Sequence, residues 1–291
     1  MEQEIESFIS YLHNVKKASF NTEMSYRRDL TKMRIYLEIT SGSPAVHEIT
    51  EENLKRYMAY MQRKKLKAST ISRNVASMKA FFHYLVRSGM IQKDVSDCLQ
   101  APRVTRNAPD VLTEEETESL LNGPSGDSDK EIRDSAMLRL LYSTGIRVSE
   151  LIGLKLADVN MQMGFLICRE ENKERMIPFD NQTREALYRY LSTVRDRMAT
   201  NKAGDILFVS CLGAPMSRQG FWKIIKYYTK KAGIAKDITP HTLRHTFAAH
   251  LVESGTDLKN VQELLGHSDI STTHIYANMD KKREIQEGTE E

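Results

Sequence analysis

The feature that most constrains this chain is the spacing of its apolar residues across positions 1–100, where they recur at steps of three and four. That spacing gathers them on one face of a helix, and such a face must be buried against another element. Four stripes follow one another. Ile5, Phe8, Ile9 and Leu12 form the first, and Tyr26, Leu30, Met33 and Leu37 the second. Leu54, Tyr57, Met58 and Met61 form the third, with Ile71, Val75, Met78, Phe82 and Leu85 the fourth. Thr50 and Ser69 are placed to cap the third and fourth helices, and Gly89 to end the last, because glycine enters the left-handed region at little steric cost. The pattern predicts a small four-helix bundle.

Between the third and fourth stripes lies Arg63-Lys64-Lys65-Leu66-Lys67, followed by Arg73 and Lys79. These cations suit DNA phosphates, and equally suit a solvated charged turn. Pro102 and Pro109 then disfavour helix and hold positions 101–110 extended, which predicts a linker. Thr113-Glu114-Glu115-Glu116 has the form of a capping box, so a second domain is expected over 111–291. It reads as helical except near Phe165–Cys168 and Met176–Phe179, which flank a polar turn like a hairpin, and Asp205–Ser210, which resembles a third short strand. Helical stripes resume from Ser217 to Ala232. The expected class is mainly α with a small sheet in the second domain.

Composition excludes more than it selects. No apolar run approaches the ~20 residues of a membrane helix, and Glu2, Glu4 and Glu6 stand where a secretory signal has basic residues. A cytoplasmic protein is expected. Cys98, Cys168 and Cys211 are odd in number and widely spaced, which fits reduced thiols better than disulfides or a zinc site. A net charge of +3 is compatible with a polyanionic partner without requiring one.

Four stretches carry candidate chemistry. In Thr144 to Leu151, Gly145 breaks a helix and Arg147 stands at the break, either presenting its guanidinium to an anion or pairing with Glu150. His241 and Arg244 are three apart, so one helix face holds a proton carrier beside a fixed cation. His241 and His245 have the spacing of a zinc-protease pair, but Thr242 stands where that motif needs glutamate. Leu264-Leu265-Gly266-His267 and Ser271-Thr272-Thr273-His274-Ile275-Tyr276 complete the set.

This order of Arg, His-x-x-Arg, Gly-His and Tyr resembles the tyrosine recombinase (phage integrase) family, and is most similar to its bacterial Xer group, which resolves chromosome dimers. The resemblance implies an N-terminal four-helix SAM-like core-binding domain and a mainly helical catalytic domain with a small sheet. It implies that Arg147 and Arg244 clamp the scissile phosphate, that His241 transfers or shares a proton, and that His267 is a further phosphate ligand. Tyr276 becomes the nucleophile, forming a 3′-phosphotyrosyl bond. It further implies double-stranded DNA as partner, a homo- or hetero-tetramer with a related recombinase on that DNA, and no cofactor or metal.

The hairpin departs from the pattern. Xer proteins carry Gly-Lys-Gly-Asn-Lys-Glu-Arg, whose first lysine protonates the leaving oxygen; here the run is Arg169-Glu170-Glu171-Asn172-Lys173-Glu174-Arg175. Glu170 falls at that lysine's place, and Lys173 is the nearest replacement. Asn278 stands where relatives often have histidine, and the charged tail Lys281-Lys282-Arg283-Glu284-Ile285 is expected to dock on a neighbouring protomer. A catalytically impaired DNA-binding relative and a mobile-element integrase are the alternatives.

Overall fold

The computed structural model of the chain describes residues 1–103, 110–170 and 173–266, without the side chains of Glu170 and Lys173. It divides into two compact units, Met1–Arg106 and Asn107–Glu291.

The first unit is built from α1 (Glu2–Asn14), α2 (Phe20–Ser41), α3 (Glu51–Arg63) and α4 (Ala68–Arg87). Ile5, Phe8, Ile9, Leu12, Leu30, Met33, Leu37, Leu54, Tyr57, Met61, Ile71, Val75, Met78, Phe82 and Leu85 are buried in one core. The periodic stripes therefore face inward, as amphipathic helices require. Thr50 caps α3 in a reciprocal box with Asn53. Ser69 does not cap α4: the helix starts one residue earlier, after Lys67, with no side-chain cap. Across the bundle, Arg73 of α4 forks onto the buried Asp29 of α2, donating through Nε at 2.8 Å and Nη2 at 2.9 Å.

The second unit begins at α5 (Glu114–Leu121), where Thr113 Oγ1 accepts from the Glu116 amide and the Glu116 carboxylate accepts from the Thr113 amide. α6 (Asp129–Thr144) runs through the core, burying Ile132, Ala136, Met137, Leu138, Leu140 and Leu141. α7 (Val148–Gly153) follows the Gly145 break. Then comes an antiparallel sheet in the order β1 (Val159–Asn160), β2 (Phe165–Glu170), β3 (Lys173–Pro178), its hairpin register pairing Cys168 with Arg175 and Glu170 with Lys173. The remaining helices are α8 (Asn181–Thr193), α9 (Arg195–Met198), α10 (Arg218–Lys231), α11 (Pro240–Glu253) and α12 (Leu258–Leu265). The entry to this unit is fastened to α11. The Leu112 amide donates to Thr246 Oγ1 at 3.0 Å, and the Leu112 carbonyl accepts from His250 Nε2 at 3.1 Å, while Tyr142 Oη donates to His250 Nδ1 at 2.8 Å.

The hairpin forms where the sequence suggests, but the third strand is Val159–Asn160 and not Asp205–Ser210. The latter segment is apolar and buried at Leu207, Phe208 and Val209, yet makes only isolated bridges, Lys155 with Ile206 and Val209 with Pro215. Side chains satisfy its backbone instead. Arg195 donates to the Gly204 and Ile206 carbonyls, Tyr190 Oη donates to the Leu207 carbonyl, and Arg133 donates to the Val209 carbonyl. A buried backbone needs partners, and here no ladder is required to supply them.

Candidate active site

The site is assembled where α6 ends and α7, α11 and α12 converge. Gly145 terminates α6 with φ +58°, and a Cβ there would collide with the Phe247 ring, so glycine alone fits the turn. The chain then inserts Ile146 into the core and presents Arg147 as the N-cap of α7. The Arg147 amide donates to Glu150 Oε2 at 2.6 Å, and its guanidinium donates to Glu150 Oε1 at 3.0 Å and to the Gly266 carbonyl at 2.7 Å. Pairing with Glu150 and presentation at the helix break are thus both true of this arginine.

Arg244 lies on α11 and is 6% exposed. Its Nη1 donates to the Gly145 carbonyl at 2.6 Å and its Nη2 to the Leu265 carbonyl at 2.5 Å. His241 is on the first turn of the same helix, after Pro240, whose missing N–H costs nothing at a helix start. Although its edge is exposed to solvent, desolvation and then the charges of Arg244, Arg218 and Arg147 hold its pKa below the ordinary histidine value. The imidazole is therefore neutral at physiological pH, with a lone pair available for a proton. Burial, followed by His241 and Arg244, pushes His245 down to about 4.

Arg147, His241 and Arg244 thus share one site. Lys173 opens β3, paired with Glu170 in the hairpin, and its side chain lies outside the described residues, as do His267 and Tyr276. Arg218, Glu150 and Arg175 join the site although sequence reasoning did not select them as functional. Strand alternation held the clue for Arg175, since it shares the inward face of β3 with the buried Ile177. Among the described residues, no group of three or more His, Cys, Asp or Glu side chains is arranged to hold a metal ion, and no helix is long and apolar enough to cross a membrane.

Residues 110–283 match the phage integrase family and residues 5–89 match the phage integrase N-terminal SAM-like domain. The tyrosine recombinase XerD of Halalkalibacterium halodurans is 41% identical over 280 residues, covering 96% of this chain and 94% of that protein. The crystal structure of XerA recombinase is similar with a TM-score of 0.53 and 27% identity, over 94% of this chain and 92% of that one. The XerH site-specific recombinase bound to palindromic difH substrate, in a post-cleavage complex, shares the fold with a TM-score of 0.77 at 21% identity, over 99% of this chain and 84% of that one. The chain belongs to the phage integrase family and is a site-specific tyrosine recombinase.

Proposed function

We propose that this recombinase cuts and rejoins double-stranded DNA at a specific site through Tyr276, in the cytoplasm, as a homo- or hetero-tetramer serving Xer-like chromosome dimer resolution. The observation that carries the reading is the anchoring of Arg147 and Arg244 to the adjacent carbonyls of Gly266 and Leu265, immediately before the segment bearing His267 and Tyr276. A phosphodiester is anionic and repels nucleophiles. Two guanidiniums held by their own backbone contacts can donate to its nonbridging oxygens and stabilise the added charge of the pentavalent transition state.

The Tyr276 oxygen attacks phosphorus, the bond to the 5′ oxygen breaks, and that oxygen leaves as a hydroxyl after taking a proton. A phenol with pKa near ~10 must lose its proton during attack, and neutral His241 or the neighbouring cations assist. His267 is a further phosphate ligand. The reverse reaction with another strand's 5′-hydroxyl completes exchange, and the covalent intermediate conserves the bond energy, so no cofactor or metal enters. Incubation with a nicked duplex carrying the recombination site should yield a protein–DNA adduct that survives denaturant, with the phosphotyrosine mapping to Tyr276. Absence of an adduct would make the chain a DNA-binding relative only, and an adduct on another residue would remove Tyr276 from its role.

Lys173 is proposed as the acid that protonates the leaving oxygen. Lys173→Ala should slow cleavage by about 10²-fold on a normal substrate, the scale of general-acid assistance. On a substrate with a bridging 5′ sulfur, which leaves without a proton, the loss should largely vanish. Equal slowing on both substrates would exclude Lys173 from that role.

A further inference from the structure

The last carbonyls of α12 each accept from a guanidinium that arrives from a different element. Leu264 O takes Arg175 Nη1 from β3 at 3.3 Å, Leu265 O takes Arg244 Nη2 from α11 at 2.5 Å, and Gly266 O takes Arg147 Nη2 from the start of α7 at 2.7 Å. A helix C-terminus leaves its final carbonyls without intrahelical donors and carries the negative end of the helix dipole. At α12 those acceptors form a rack that fixes three cations. Two are the proposed phosphate clamp, and the third has no part in the mechanism above.

Arg175 reaches further than the rack. Its Nη2 donates to Glu150 Oε1 at 2.5 Å, the oxygen that also accepts from Arg147 Nη1 at 3.0 Å. Arg175 therefore holds both groups that hold Arg147, the carboxylate on one side and the α12 turn on the other. It also changes the charge of the cluster. Glu150 alone would offset Arg147 and weaken its pull on an anion, whereas a second guanidinium on the same carboxylate leaves the trio net positive. The Arg175 and Glu150 side chains are only 12% and 13% exposed, so solvent screens this pair far less than a surface one.

Gly266 is shaped to the same contact. Its φ is +63°, and a Cβ on it would fall inside the Arg175 guanidinium. Because that guanidinium ends a flexible side chain, an alanine would displace Arg175 from Leu264 and Glu150. The glycine before His267 thus answers two demands, the left-handed backbone and the space for Arg175.

We propose that Arg175 is a positioning residue for strand cleavage, which sets Arg147 against the scissile phosphate through Glu150 and the C-terminal turn of α12. The inference rests on the reading of Arg147 as a phosphate ligand. Arg175→Lys tests it, since lysine keeps the charge opposite Glu150 but cannot reproduce the planar fork that spans two acceptors. Cleavage of a nicked site at saturating protein should slow by roughly tenfold or more, as expected when a reacting group loses alignment. DNA affinity should stay within about twofold, because phosphate contacts elsewhere dominate binding. On a scissile methylphosphonate, which lacks the charge that Arg147 stabilises, the loss should shrink to about threefold or less. Gly266→Ala should produce the same defect from the other side of the contact, and the double variant should be no worse than the more damaging single one.

Cleavage by Arg175→Lys at the unsubstituted rate, an equal loss on the methylphosphonate, or additive losses in the double variant would each overturn the proposal. Failure of the unsubstituted chain to form any adduct would instead strike the recombinase reading itself.

Discussion

Arg244→Ala is expected to lower single-turnover strand cleavage by on the order of 10³-fold, the scale at which an arginine stabilises the transition state of phosphoryl transfer. The size follows from where the side chain sits. Arg244 is buried and fixed by the Gly145 and Leu265 carbonyls, so its guanidinium is oriented before DNA arrives and little reorganisation accompanies the reaction. An exposed arginine would have to lose side-chain freedom at each turnover and would stabilise the phosphorane less. Alanine also leaves those two carbonyls without this donor, at a cost of about 1–3 kcal/mol for each that stays unsatisfied. Urea unfolding must therefore be followed beside the rate. A folded Arg244→Ala chain that forms adduct within about tenfold of the unsubstituted rate would remove Arg244 from the clamp, because a transition-state donor contributes more than that.

The parts of this protein that were legible in its sequence are those governed by near neighbours. The stripes of α1 to α4 face the core because three- and four-residue steps dictate which side chains share a face. The Thr50 and Thr113 caps form because a hydroxyl three residues before its acceptor amide closes a local ring. Ser69 had the right chemistry in the wrong place, since the helix had already begun at Ala68. Asp205–Ser210 had the composition of a strand, but distant arginines and a tyrosine satisfy its backbone, and no local pattern announces such donors.

The site divides in the same way. His241 and Arg244 were legible as a pair because one helix turn joins them. Their relation to Arg147 came from resemblance, because the contacts that carry it connect residues far apart in the chain: Arg244 to Gly145 and Arg147 to Gly266. Glu150 was visible only as a partner that would neutralise Arg147. What changes its meaning is Arg175, which arrives from the hairpin and lies 25 positions later.

Asp134→Ala should destabilise the second unit by about 3–5 kcal/mol, the range for removing one partner of a buried ion pair. Arg133 and Asp134 are adjacent on α6 and are 2% and 0% exposed. Arg133 donates to Asp134 Oδ1 through Nη2 at 2.6 Å and Nε at 2.9 Å, and Tyr228 of α10 donates to Asp134 Oδ2 at 3.3 Å. The same guanidinium reaches the Val209 carbonyl at 3.2 Å and Cys211 Sγ at 3.4 Å. One buried cation therefore joins α6 to the segment that reads as a strand and is not one. Without the carboxylate its charge stays buried and uncompensated, and the Tyr228 hydroxyl loses its acceptor. Replacing both partners by apolar residues, as in Arg133→Met with Asp134→Leu, should recover much of the loss, because the cost lies mainly in the stranded charge. The recovery should be incomplete, since methionine cannot donate to the Val209 carbonyl. Urea unfolding of the two single variants and the double closes the cycle. If the double variant were as unstable as the sum of the singles, the pair would act as two independent groups, and the segment at Val209 would owe its place to packing alone.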